Sequence, residues 1–152
     1  TTSSDRDVTV RGMELEYSQS LSFLPEMFRG LNVRASYTRS YASIPKANMV
    51  PHSINAGLSY SYRKLNAYTN LNWRDNYPSN ISLTTPRFYR HRANLDIGGG
   101  YRITPRMNFF FSARNIFNEP YLIMEKVGAN AAVVQFYEVN GINWTCGIKH
   151  VF

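Results

Sequence analysis

The sequence predicts an all-β chain that forms part of a transmembrane antiparallel β-barrel, and three observations predict it. Apolar and polar residues alternate over several segments, as in strands that have one apolar and one polar face. All seven prolines fall between these segments, as expected because proline cannot donate to an interior strand ladder. The last alternating segment ends on Phe152, and an outer-membrane barrel needs such a strand to pair with its first one.

The alternation divides into seven predicted strands, A to G. In order, they are about Val8–Phe23, Leu31–Tyr41, His52–Tyr62, Leu65–Asp75, Phe88–Ile103, Met107–Phe117 and the terminal segment Gly141–Phe152. In strands A to D the large apolar residues occupy every second position, which we call the apolar parity: Met13, Leu15 and Tyr17; Leu31, Val33 and Tyr37; Ile54, Leu58 and Tyr60; Leu65, Leu71 and Trp73. Their other parity carries Glu14, Glu16 and Ser18; Asn32, Arg34 and Ser36; Ser53, Asn55 and Ser59; Tyr68, Asn70 and Asn72.

Strands E to G repeat this arrangement. Their apolar parity carries Tyr89, Leu95 and Ile97; Phe109, Phe111 and Ala113; Ile142, Trp144, Cys146 and Ile148. Their other parity carries Arg90, Arg92 and Asp96; Asn108, Ser112 and Arg114; Asn143, Thr145 and Lys149. Aromatic residues near both ends of the apolar parity, with Tyr89 and Trp144 at one end and Tyr101 and Phe109 at the other, predict two interfacial girdles.

The connections between the predicted strands alternate in length. The short ones cover residues 24–30, 63–64 and 104–106, and the long ones cover residues 42–51, 76–87 and 118–140. Outer-membrane barrels have short periplasmic turns and longer outer loops, so the long connections are expected outside the cell. The two-residue turn pairs Tyr62 with Leu65, and a turn at Pro105 places Gly99 opposite Phe111 and Gly100 opposite Phe110.

Composition and charge exclude several other classes. The net charge of +7 would suit a nucleic-acid partner, but the basic residues are spread singly through the strands, which argues against one. One cysteine cannot build a disulfide framework or a cysteine-based zinc site. Histidines 52, 91 and 150 fall on the apolar parity of different strands, so neither a catalytic triad nor a metal site is expected, and we predict no cofactor and no enzyme activity.

A single-chain bacterial barrel normally has an even number of strands, so the seven predicted here do not form a complete one. Two open edges in lipid would leave unpaired backbone groups that cost several kcal/mol each. The chain is therefore expected to be the C-terminal part of a larger barrel, with the rest of that barrel and the lipid and lipopolysaccharide of the bacterial outer membrane as its partners. The alternative of a soluble β-sandwich would bury the apolar face as a core and leave Arg90 and Arg92 in water.

Three motifs resemble the C-terminal barrel region of TonB-dependent outer-membrane transporters. They are Gly12-Met13-Glu14 at the head of strand A, Asn115-Ile116-Phe117-Asn118-Glu119-Pro120-Tyr121, and the terminal aromatic Phe152. The resemblance implies a 22-stranded barrel, a plug domain and an N-terminal region that engages the TonB complex, the last two absent from this chain. It also implies import of a siderophore, haem, vitamin B12 or an oligosaccharide, and a C-terminal strand (Phe152, Ile148 and Trp144) that is read by the barrel-assembly machinery and closes the barrel.

The candidate substrate-facing residues lie near the expected outer end. Arg74, Arg90 and Arg92 point to the lumen and could form a cationic wall for an anionic ligand, or could pair with acids of the absent plug. Asp96 falls opposite Arg114 in the predicted register, so these two are expected to form a structural salt bridge. Tyr121, Phe136 and Tyr137 lie on the longest loop and could stack on a ligand or pack that loop.

Two functional alternatives remain beside energised import. A passive porin would use the same barrel without a plug or energy coupling. An outer-membrane enzyme would require catalytic groups on the missing strands, because this chain offers none that converge.

Overall fold

The computed structural model describes residues 8–80, 85–128 and 131–151. These residues form two antiparallel sheets and one short 3-10 helix, Glu26–Phe28. The strands are β1 (Val10–Ser20), β2 (Leu31–Ala42), β3 (His52–Tyr62), β4 (Leu65–Arg74), β5 (Tyr77–Pro78), β6 (Arg87–Tyr89), β7 (Arg92–Thr104), β8 (Met107–Arg114), β9 (Tyr121–Val127), β10 (Ala131–Glu138) and β11 (Asn143–His150). The predicted all-β class is confirmed. Within the described ranges, no helix is long and apolar enough to cross a membrane.

The large sheet has seven strands in the order β1-β2-β3-β4-β7-β8-β11, and every neighbouring pair is antiparallel. Its two edges, β1 and β11, each pair with one neighbour among the described residues, so the sheet is open there. The turn at Arg63-Lys64 defines one end, the Lys64 end, and the opposite end, where β4 stops, is the Arg74 end. All long connections lie at the Arg74 end, in agreement with the predicted alternation.

The predicted registers and faces of the large sheet are confirmed. Tyr62 pairs with Leu65, Gly99 with Phe111 and Gly100 with Phe110. Each register pairs residues of the apolar parity with one another. One face of the sheet, the apolar face, therefore carries a continuous row across four strands: Tyr37, Ile54, Trp73 and Ala93. A second row on that face, at the Lys64 end, consists of Tyr62, Leu65, Tyr101, Phe109 and Ile148.

The apolar face is uncovered. Leu58 is 40% exposed, Leu65 44% and Trp144 66%. Among the described residues the buried apolar side chains are Ala113 and Leu122, and none has less than 2% of its surface exposed. The described residues therefore lack the two-sheet core that a soluble β-sandwich would need.

The opposite, polar face of the large sheet is concave. An open cavity of about 500 Å³ on this face is lined by residues of five neighbouring strands, including Glu16, Asn32, Asn55, Asn70 and Asp96. One cavity can receive side chains from five strands only if the sheet curves toward them. Two glycines on this face lie under aromatic rings, since a Cβ at Gly98 would meet Tyr68 at 2.6 Å and one at Gly147 would meet Phe110 at 2.8 Å.

The small sheet, in the order β10-β9-β6-β5, consists of residues that the sequence assigned to loops and to strand E. Predicted strand E is not continuous, because residues 87–89 pair with β9 and β5 whereas residues 92–104 join the large sheet. The predicted loop 118–140 contains the hairpin β9–β10. Gly128, the residue after β9, has φ +76°, a conformation that favours glycine. Strands A and F are also shorter than predicted, ending at Ser20 and Arg114.

Candidate functional site: a cationic and aromatic pocket

Three arginines and three tyrosines converge where the small sheet meets the polar face at the Arg74 end. This cationic pocket has a volume of about 170 Å³ and is lined by Asn72, Arg74, Tyr77, Tyr89, Arg90, Arg92, Asn94, Tyr121 and Leu122. Four of the residues predicted to face a substrate, Arg74, Arg90, Arg92 and Tyr121, therefore lie together. The lining comes from both sheets, with Asn72, Arg74, Arg92 and Asn94 on the large sheet and Tyr77, Tyr89, Tyr121 and Leu122 on the small sheet.

The break between β6 and β7 creates the pocket. The link residues 90–91 are held from both sides, because Arg90 N donates to Leu122 O at 3.1 Å and His91 N donates to Asn76 Oδ1 at 2.6 Å. These two bonds satisfy backbone donors that a continuous strand would have used in the large sheet. As a result β6 and β9 turn toward the polar face, and the Tyr121 ring lies close to Arg92.

The arginines face one another without a carboxylate. Arg74 on β4 and Arg92 on β7 are directly paired in register, a position where like charges are destabilising. Among the described residues an ion pair is formed between Arg87 Nε and Glu125 Oε2 at 2.8 Å, and it involves none of the pocket arginines. The pocket thus holds an excess of positive charge that no described acid neutralises.

Two polar atoms inside the pocket are buried and have no hydrogen-bond partner within the described chain. They are Arg92 Nε, a donor, and Asn94 Oδ1, an acceptor on the same face two residues further along β7. The Arg92 guanidinium lies over the Tyr121 ring, 5.7 Å from its centroid, which is within the range of a cation–π contact. Beside this ring contact, Arg92 Nε has no hydrogen-bond partner within the described chain.

The tyrosines form a continuous wall. Tyr77 and Tyr89 pair across β5 and β6 with ring centroids 4.6 Å apart, and Tyr89 lies 5.3 Å from Tyr121. Phe136 meets Tyr121 edge to face at 6.4 Å, so it supports the wall from behind. Burial, followed by the neighbouring hydroxyls of Tyr89 and Tyr77, raises the pKa of Tyr121 well above its ordinary value.

Some predicted site residues lie elsewhere. Tyr137 is exposed and does not line the pocket, since it pairs with Leu122 on the outer strand of the β9–β10 hairpin. The predicted girdle position of Tyr89 is wrong, because β6 leaves the large sheet and brings this ring into the tyrosine wall. Sequence reasoning missed Tyr77, Asn72 and Asn94. The parity of Asn72 and Asn94, which matches that of Arg74 and Arg92, was the signal that could have found those two.

The predicted salt bridge between Asp96 and Arg114 is not formed. Asp96 Oδ1 instead accepts a hydrogen bond from Asn115 N at 2.9 Å, and Arg114 is exposed and pairs in register with Asn143. The reason is that the β7–β8 ladder ends one step earlier, at Ile97 and Ala113, and Asn115 turns the chain with φ 55°. In that turn the Asn115 backbone N–H points at the Asp96 carboxylate and takes the place that the Arg114 guanidinium was predicted to occupy.

The terminal strand contributes an edge rather than a pocket wall. Trp144 and Ile148 lie on the apolar face of β11, opposite Ala113 and Phe109, and Phe152 lies outside the described residues.

Comparison with known proteins did not match this chain to any of them. A scan against models of protein families, a search of curated proteins and a search of solved structures each found no match to this chain.

Proposed function

We propose that this chain is a seven-stranded wall of a bacterial outer-membrane barrel, and that the barrel imports a scarce nutrient using energy from an inner-membrane TonB complex. The observation that carries the proposal is the uncovered apolar face of the large sheet. Each large apolar side chain gains about 1.5–3 kcal/mol on transfer from water to an apolar environment. With side chains such as Met13, Leu15, Leu58 and Phe109 exposed, lipid contact would stabilise the sheet by an amount on the order of tens of kcal/mol.

The dimensions of the apolar face support a membrane location. Trp73, in the row at the Arg74 end, follows Leu65, in the row at the Lys64 end, by eight residues. At roughly 3.3 Å per residue this is about 26 Å of strand. A transmembrane β-strand needs about 9–11 residues when it is tilted by about 45°, and the segment from Leu65 to Trp73 reaches the lower end of this range. Outer-membrane barrels also carry an aromatic girdle at each border of the apolar band, and both rows contain Tyr or Trp.

The polar face and the open edges support a barrel. The concave face carries Glu16, Asn32, Asn55 and Asn70, side chains suited to a wet lumen. The backbone groups at the free edges of β1 and β11 need partners in lipid, where each unsatisfied group costs several kcal/mol. We therefore propose that further strands of the same barrel pair with both edges.

Energised import is favoured over passive flow by the cationic pocket and by the resemblance of three motifs to TonB-dependent transporters. A cluster of three arginines beside two buried, unpartnered polar atoms is suited to holding one ligand, whereas a porin needs an open path. The same resemblance implies a plug domain and recognition of the terminal strand by the barrel-assembly machinery, and both belong to this proposal.

Uptake by intact cells tests the proposal. Cells that carry the gene and cells that lack it are given a labelled ferric siderophore, haem, vitamin B12 or an oligosaccharide, with and without a protonophore. We expect gene-dependent uptake of one of these ligands, and we expect it to stop when the proton gradient is collapsed. Gene-dependent uptake that is indifferent to the protonophore would instead establish a passive porin.

A further inference from the structure

We propose that the cationic pocket binds an oxyanion, a carboxylate or a phosphate, that carries a neighbouring hydroxyl on a small ring. The inference deepens the proposed function, on which it rests for the claim that the bound group belongs to the imported ligand. The site itself is argued from the residues that line the pocket.

The charge arrangement selects an anion. Arg74 and Arg92 are held opposite each other by the strand register, and Arg90 is held by its backbone bond to Leu122. None of the three forms an ion pair within the described part of the chain. An oxyanion between them would relieve their mutual repulsion, and the planar guanidinium fork matches the oxygen spacing of carboxylate and phosphate.

The two unpartnered buried atoms select a hydroxyl beside that anion. Arg92 Nε needs an acceptor, which an oxyanion oxygen supplies. Asn94 Oδ1 needs a donor, which an oxyanion cannot supply but a hydroxyl can. Because Asn94 follows Arg92 by two residues on the same strand face, one ligand with both groups close together satisfies both atoms.

The size and the aromatic wall select a small ring. A volume of about 170 Å³ is below the roughly 300–1,000 Å³ of pockets that enclose a whole drug-sized ligand. The pocket therefore takes one group of a larger molecule or one monosaccharide. The wall formed by Tyr77, Tyr89 and Tyr121 offers an apolar surface against which the C–H face of a sugar ring can pack.

Binding to the purified intact protein in detergent tests the site with defined probes. Isothermal titration calorimetry compares D-galacturonate with galactose, which lacks the charge, with cyclohexanecarboxylate, which lacks the hydroxyls, and with galactose 6-phosphate. We expect galacturonate or galactose 6-phosphate to bind at least ten-fold more tightly than both galactose and cyclohexanecarboxylate. The tighter of the two anions identifies a carboxylate or a phosphate site.

Variants separate the pocket from general charge effects. Arg74→Gln and Arg92→Gln are each expected to weaken binding of the preferred anion about 10- to 100-fold, as expected for the loss of a charged hydrogen bond. Arg102→Gln is the matched control, because Arg102 lies on the same face of β7 near the Lys64 end, and we expect its affinity to stay unchanged. Asn94→Ala is expected to weaken the binding of galacturonate to the level of cyclohexanecarboxylate while the affinity for cyclohexanecarboxylate stays unchanged, whereas misfolding would abolish the binding of both.

The outcomes are separable from those of the transport test. Absence of binding by both anions at millimolar concentration, equal binding of galactose, or equal weakening by Arg102→Gln would overturn the oxyanion site. These measurements use no proton gradient, so a protonophore-insensitive uptake would refute energised import and leave the site standing. Energised uptake by a protein that binds neither anion would refute the site and leave the proposed function standing.

Discussion

Placing a charge at the middle of the apolar face tests whether that face contacts lipid. Leu58 is level with Thr69, which lies four residues from both Leu65 and Trp73, so it is about 13 Å of strand from either row. It is 40% exposed and faces away from the concave side. If this face contacts lipid, Leu58→Arg places a cation near the bilayer midplane, and we expect the free energy of unfolding to fall by about 2–4 kcal/mol.

Two control variants make the result specific. Leu65→Arg introduces the same charge in the row at the Lys64 end, where the expected loss is only about 0–1 kcal/mol because the interface hydrates the guanidinium. Ser59→Arg lies next to Leu58 on the polar face, where a wet lumen accepts a charge with little loss. The assay is guanidinium-induced unfolding of the intact protein in lipid vesicles, followed by tryptophan fluorescence. Equal losses for Leu58→Arg and Leu65→Arg, or for Leu58→Arg and Ser59→Arg, would refute lipid contact.

Three further predictions concern local structure. Asn115→Ala should lower stability by about 1–3 kcal/mol, because Asn115 Nδ2 donates to Gly141 O and its Oδ1 accepts from Glu119 N; an unchanged midpoint in denaturant titration would contradict this. Gly30→Ala should lower stability by about 1–3 kcal/mol because its Cβ would overlap the Ser61 backbone, whereas Gly12→Ala, with its nearest atom at 3.6 Å, should change little. The raised pKa of Tyr121 means that the folded chain keeps a phenol proton that the unfolded chain loses, so stability should fall as pH rises above about 10 and be unaffected below it. Alkaline ultraviolet titration should show one late tyrosine that Tyr121→Phe removes, and identical titrations would exclude that protonation difference.

The large sheet could be predicted from the sequence because its information is local. Alternation assigns each residue to a face, and a short turn such as Arg63-Lys64 leaves one register that keeps both faces intact. The pairing of Gly100 with Phe110 follows in the same way from the turn at Pro105. Alternation alone places Arg74 and Arg92 on the same face, but their direct pairing depends on the register of β4 with β7, which the long connection between these strands does not set.

The small sheet could not be predicted in the same way, because its strands are defined by contacts distant in the chain. The alternation runs through Tyr89 and Ala93 on the same parity, so nothing in it marks the break at residues 90–91 that the bond from Arg90 to Leu122 imposes. The hairpin β9–β10 did carry a local signal. Two runs rich in Val, Ile, Phe and Tyr flank Gly128, a pattern that reads as a hairpin when the segment is not first assigned to an outer loop.

The turn at Asn115 explains why the predicted Asp96–Arg114 bridge failed. The predicted register of β7 with β8 is correct as far as Ile97 and Ala113, where the ladder stops. Beyond that point the backbone direction is set by the positive φ of Asn115. A register argument holds only as far as the strands continue.

An accessibility scan along β4 tests the central proposal, the two-faced membrane wall, most directly. Spin labels are placed singly at residues 65–74 of the intact protein in lipid vesicles, in a Cys146→Ser background that removes the exposed native thiol. Collision rates are then measured with oxygen, which concentrates in lipid, and with a water-soluble nickel chelate. We expect oxygen to dominate at the odd positions from Leu65 to Trp73 and the nickel chelate at the even ones. Labels at the odd positions that respond to the nickel chelate as strongly as their even neighbours would contradict a membrane-facing apolar surface.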